Sequence, residues 1–176
     1  MASFGATAAN PERRSNPVIA NFTLVGSPTA TGADGITINT GSQFRVYNGV
    51  ATNNHATAPC LDIDNTPDST AIFRSVFFSC NTSFASDVDT VEEATIFGAG
   101  TNNNTAGGTS SLTNTFVNGA NESSVPATSL VTLSDTELQP SLKAFLTSAN
   151  YIGAVRDGAD TWWQGWTCGL GGGPAC

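Results

Sequence analysis

Basic side chains are nearly missing from this sequence. One lysine, Lys143, and five arginines stand against fourteen carboxylates, for a formal net charge of −8. So little positive charge leaves no basic face to neutralise phosphates, which excludes nucleic acid as a partner. No run of eighteen apolar residues occurs, so no stretch reads as a transmembrane helix. Histidine is reduced to His55, in the polar stretch Thr52-Asn53-Asn54-His55-Ala56-Thr57, and no Cys-x-x-Cys pair exists. Zinc sites of the usual spacing are excluded with them. Gly-x-Ser-x-Gly is absent too, which removes a Ser/His/Asp hydrolase and leaves His55 as a loop residue without chemistry. The glycine-rich stretch 98–108 has no lysine and no helical pattern behind it, so it is no phosphate loop.

What the chain has instead is threonine (24), glycine (18), serine (17) and asparagine (16) among 176 residues. Ten phenylalanines and three tryptophans keep it out of the disordered class. The length suits one domain, or a piece of a larger one, able to bury about two-thirds of its unfolded surface. Cys60, Cys80, Cys168 and Cys176 are an even number. With the acidic, lysine-poor composition they predict an exported protein with Cys60–Cys80 and Cys168–Cys176 paired; buried free thiols are the alternative. No basic segment followed by an apolar one opens the chain, so an excised fragment carrying an added Met1 is expected.

Short β-rich runs fill the first half. Val18–Val25, Gly35–Asn39, Phe44–Val50, Cys60–Asp64 and Ile72–Cys80 are rich in branched and aromatic residues, and several alternate at period two. They recur in pairs. Gly35-Ile36-Thr37-Ile38-Asn39 aligns with Cys60-Leu61-Asp62-Ile63-Asp64, which would set Ile36 under Leu61 and Ile38 under Ile63. Phe44-Arg45 aligns with Phe73-Arg74. A repeat of 20 to 30 residues with two short strands signals a solenoid. The expected fold is therefore all-β, a right-handed parallel β-helix with a C-terminal aromatic cap; a β-sandwich is the alternative. Residues 1–17 read as an irregular lead-in, 18–133 as coils with long polar loops, and 134–176 as the cap. One helix is predicted, Asp135 to Leu146 after Ser134 as N-cap. Its Leu138, Leu142, Phe145 and Leu146 would join Trp162, Trp163 and Trp166 over the last coil.

Three words of the sequence carry a resemblance. They are Arg14-Ser15-Asn16-Pro17-Val18-Ile19-Ala20-Asn21-Phe22-Thr23-Leu24-Val25-Gly26, Cys60-Leu61-Asp62-Ile63-Asp64, and Tyr151-Ile152-Gly153-Ala154-Val155 followed by Asp160-Thr161-Trp162-Trp163-Gln164-Gly165-Trp166-Thr167-Cys168. In these the chain resembles the C-terminal part of secreted right-handed parallel β-helix proteins and lipoproteins of sphingomonad-type and related proteobacteria. The resemblance implies this fold, an extracellular or bacterial cell-surface place, and further coils upstream. It implies no established reaction and no catalytic residue. Residues 85–133 carry little of it.

The remaining chemistry lies in acids, arginines and tryptophans. Asp62 and Asp64 point to one face of a strand, and Asp87 and Asp89 repeat the spacing. Stacked carboxylates repel, and Ca²⁺ would relieve them; a carboxylate pair is also what glycoside cleavage uses. Solvated acidic edges are the plainer reading. Arg45 and Arg74 would form an outward ladder, neutralising the acids or meeting an anionic sugar. Trp162, Trp163 and Trp166 would cap the core or grip a glycan.

The expected function is a non-catalytic structural or adhesive module. A calcium-dependent polysaccharide lyase or glycoside hydrolase is the alternative. An open N-terminal end exposing Ile19, Phe22 and Leu24 would stack against another copy, up to a filament, or against upstream coils, with surface glycan as a further partner.

Overall fold

The computed structural model describes residues 2–5, 14–29, 34–39, 41–64, 68–87, 91–147, 149–165 and 167–168, with backbone only for 2–5. Seven strands come first: β1 (Ala2–Gly5), β2 (Val18–Val25), β3 (Ile36–Asn39), β4 (Gln43–Asn53), β5 (Pro59–Ile63), β6 (Thr70–Cys80) and β7 (Thr82–Phe84). Three short helices follow, α1 (Glu93–Phe97), α2 (Ala120–Ser123) and α3 (Pro140–Phe145), with a 3-10 turn at Leu130–Thr132. The regular structure of the described residues is thus mostly strand, with few and short helices.

Consecutive strands fall in alternate sheets. One sheet has the order β1-β3-β5-β7 and the other β2-β4-β6, and every strand pairing is parallel. An antiparallel sandwich has a different pairing. Ile36 lies beside Leu61 and Ile38 beside Ile63, as their spacing predicts, and Leu61 continues to Phe84. Their side chains meet Val46, Ala51, Phe73, Val76 and Phe78 of the other sheet in a single core.

The register of β2, β4 and β6 departs from the expected alignment. Arg45 pairs with Ile72, and Arg74 with Tyr47, so the two arginines do not stack. Each of the three strands also carries one residue in the left-handed region, in register with its neighbours: Asn21, Asn48 and Ser75, at φ 51, 53 and 56°. Each bends its strand and shifts the alternation. Ile19, Val46 and Phe73 face the core before the bend; Phe22, Val76 and then Leu24, Ala51 and Phe78 face it afterwards. Gly49 follows the bend because a Cβ there would enter the ring of Phe22.

The C-terminal segment covers the opposite face of that sheet. Val125 and Ile152 pack on Val50 and Phe77, while Leu130, Leu138, Leu142 and Leu146 pack on Tyr47, Val18, Ala20 and Ile72. The bends themselves are the anchors. Asn21 Nδ2 donates to Tyr151 O (2.7 Å), Asn48 exchanges two hydrogen bonds with Thr128 (3.0 and 2.8 Å), and Ser75 Oγ donates to Pro126 O (2.7 Å). Burial on both faces is the normal condition of a parallel sheet and explains the near-continuous apolar run of β6. The leucines expected to close the last coil therefore lie on a face of the three-stranded sheet.

The β6–β7 side is closed by a helix that the sequence reading missed. Phe97 of α1 stacks on Phe78 with ring centroids 4.5 Å apart and meets Phe73 and Phe84. Thr105 pairs in parallel with Phe77, and Asn104 satisfies Val76 N, Phe73 O and Phe97 O. Three further differences concern boundaries. β1 forms within the expected irregular lead-in, and β7 was not foreseen. Among the described residues the named strands end at Phe84, and 85–133 contributes only isolated bridges, at Thr105, Thr113 and Val117. The expected helix over 135–146 is reduced to Pro140–Phe145, because the residue before a proline is held extended: Gln139 has φ −59 and ψ 146°.

Candidate functional site

Asp62, Asp64 and Asp87 are brought together. Asp62 lies beside Thr37 on the outward face of β5, and Asp64 N continues the ladder to Ile38 O at 2.8 Å. β7 ends at Phe84, beside Leu61, and Asp87 follows three residues on. One carboxylate oxygen from each of the three lies within 4.8 Å of the others. Asp89 falls outside the described residues.

Burial pushes the Asp62 carboxyl up to about 7, and the charges of Asp64, Asp34, Asp87 and Glu93 add to the rise. Its Oδ1 is sealed from solvent without a hydrogen-bond partner. Glu93, at the start of α1, is only 2 % exposed and accepts from Ile63 N at 3.5 Å. An acid titrating near neutrality can hold or release a proton. Three convergent carboxylate oxygens are also what a hard divalent cation takes as ligands.

The other expected residues are scattered. Arg74 makes a bidentate ion pair with Glu137, which holds its guanidinium charged, and also donates to Thr101 O. Arg45 donates to Asn16 and to Thr136 O, and its Nε is buried and unpartnered. Tyr47 OH donates to Glu137 O between them; burial and the Glu137 charge push this phenol up to about 12. The arginines thus fasten the C-terminal segment to β4 and β6 and form no basic groove.

Trp163 is buried against Phe116 at 4.9 Å, edge to face, beside Val117 and Val155. Trp162 is 60 % exposed, with Nε1 donating to Ala154 O at 3.0 Å. Trp166 falls outside the described residues. His55 holds its own turn, Nδ1 accepting from Thr57 N and Ala58 N. Cys60 and Cys80 are bonded, tying β5 to β6 with Cα atoms 5.7 Å apart. Cys168 is also disulfide-bonded, and Cys176 falls outside the described residues.

Sequence reasoning missed Glu122. It is fully buried in α2, and its carboxylate accepts from Ser110 Oγ, Ser111 N, Ser111 Oγ and Gly119 N at 2.6 to 3.1 Å. Burial alone would raise this group, but the Ser111 and Ser110 hydrogen bonds outweigh it and hold the carboxyl below its ordinary value. The only signal was the position of Glu122 three residues after Gly119, as in a capping box. No family model, no curated protein and no solved structure matches the chain.

Proposed function

We propose that this chain is a non-catalytic structural or adhesive module, the closed end of a right-handed parallel β-helix at the bacterial surface or outside the cell. The observation that carries the reading is the alternation of parallel strands between two sheets, with Ile36, Leu61 and Phe84 stacked in register. Parallel strands joined by a crossover are right-handed in about 98 % of cases, which supplies the handedness. The Cys60–Cys80 disulfide favours an oxidising compartment.

Assembly runs through the β1–β2 side, against upstream coils or a second copy. Phe97, Asn104 and Thr105 occupy the β6–β7 side, so head-to-tail growth has no second partner surface. Two copies meeting through the same side form a closed pair. Light scattering with negative-stain microscopy tests this over a range of concentrations. Closed dimers are expected, with β2 amide exchange slowing as they form. A monomer at every concentration, with β2 exchange unchanged, overturns assembly.

The Asp62, Asp64 and Asp87 cluster supports a second reading, calcium-dependent cleavage of a polysaccharide. A thermal shift on adding Ca²⁺ at pH 8, lost in Asp64→Asn, is what that reading requires. An unchanged melting curve removes it.

A further inference from the structure

Beyond the bend, the three-stranded sheet carries the ladder Val25, Thr52 and Ser79 on neighbouring strands. These form the floor of a groove of about 360 Å³, whose wall is the loop 109–115. Among the described residues no charged side chain lines it. Its described lining is neutral, with the polar residues Thr52, Asn54, Ser79, Thr109, Ser110 and Thr115 and the apolar Val25 and Leu112. The volume lies above the roughly 300 Å³ at which small-molecule sites begin.

The wall is fixed before any ligand arrives. Ser110 N donates to Ser79 Oγ at 2.9 Å, which ties it to the floor. The buried Glu122 carboxylate holds Ser110 and Ser111 from behind. A tight hairpin then pairs Thr113 with Val117, turning through Asn114 and Thr115 at φ 48 and 76°. A β-branched residue in that region is strained, and strain of this kind persists where surrounding contacts impose it. The Thr52, Thr109 and Thr115 hydroxyls and the Asn54 carboxamide make no hydrogen bond with a described residue, so their capacity is open to a ligand.

We infer that this groove binds a neutral oligosaccharide. Neighbouring strands space the Thr52 and Ser79 side chains about 4.8 Å apart, a comb of donor–acceptor hydroxyls suited to a ligand built of hydroxyls. The absence of charge in the lining gives ionic ligands no counter-ion. Val25, 47 % exposed, and Leu112 offer contact to the C–H faces of sugar rings. The site deepens the adhesive half of the proposed function and is independent of the stacking half.

The test is a ¹⁵N-NMR titration of the whole chain with cellotetraose, maltotetraose, laminaritetraose and tetragalacturonate. At least one neutral tetrasaccharide is expected to move the amides of Thr52, Ser79 and 109–115. The double variant Thr52→Val, Thr109→Val keeps shape and loses two hydroxyls. It should bind about tenfold more weakly or less, with its circular dichroism and melting curve unchanged. Should the double variant unfold, Thr109→Val alone carries the test, since Thr109 is exposed. Three results overturn the inference: no groove shift with any neutral sugar at tens of millimolar, tetragalacturonate binding more tightly than all of them, or an affinity untouched by the substitutions. None of these bears on the scattering experiment, so the two proposals fail separately.

Discussion

Asp62 and Glu122 are both shielded carboxyls, and they shape stability in opposite directions. Asp62 titrates near 7 when folded and near 3.8 when unfolded, so the folded state binds the extra proton between those values. Stability from this group is full below about pH 4 and is lost as pH rises through 7. Asp62→Asn, which keeps a neutral polar group in place, should raise the melting temperature at pH 8 and leave it nearly unchanged at pH 4. Melting curves of both proteins from pH 4 to 9 check the crossover. Glu122 is held below its ordinary value, so its contribution is present above about pH 4.5 and falls away as acid reaches its folded pKa. Asn48 is the most demanding backbone position, buried at φ 53° with both ends of its carboxamide used. Asn48→Ala should cost about 2–4 kcal/mol, from left-handed strain and two unmade buried hydrogen bonds. Asn48→Gly should cost less, because it incurs only the hydrogen-bond loss without the strain; chemical denaturation of both variants tests the order.

At the scale of elements, helices this short do not stand by themselves and are held by what they cover. α1 exists because Phe97 enters the core between Phe73, Phe78 and Phe84. Phe97→Ala should lose about 3–5 kcal/mol and should open 91–100 to proteolysis before the strands. The β5–β6 connection depends on Cys60–Cys80, which closes a loop of sequence separation 20. Reducing it should cost about 3 kcal/mol on the loop-entropy account, read as a lower denaturation midpoint. The element boundaries also show where sequence was legible. β3 and β5 alternate cleanly, and their pairing followed from Ile36, Ile38, Leu61 and Ile63. β4 and β6 did not yield their register, because the left-handed residue inside each breaks the alternation. Asn21 and Asn48 are the same residue at the same bend, but Ser75 replaces it in the third copy and hides the repeat.

For the whole molecule, the net charge of −8 opposes association. Salt within the Debye range screens that repulsion, so dimers should form at lower protein concentration in 0.5 M NaCl than in 20 mM NaCl. Scattering at the two salt concentrations checks the sign. The stack is also asymmetric. One sheet of β2, β4 and β6 is covered on both faces, and the C-terminal segment is fastened to it through Arg74–Glu137, Asn48–Thr128 and Asn21–Tyr151. That segment is part of the folded unit, so removing it would bare Tyr47, Val50 and Phe77.

Composition and local pattern alone determined much of this. A single lysine, a single histidine and no Cys-x-x-Cys pair narrowed the chemistry to expect, and branched residues at period two placed β2 to β6 within a few residues. The sequence also put Asp62 and Asp64 on one strand face and Asp87 and Asp89 one repeat of 25 residues later, whereas β7 follows β5 at an offset of 23. Tertiary structure decided everything that depends on segments distant in the chain. Which face of β2, β4 and β6 the C-terminal leucines cover, which carboxylate loses its solvent, and which neutral hydroxyls line one groove are set by packing across more than 20 residues of separation. No local period records such contacts, since each is selected by the surface left open once the strands have stacked.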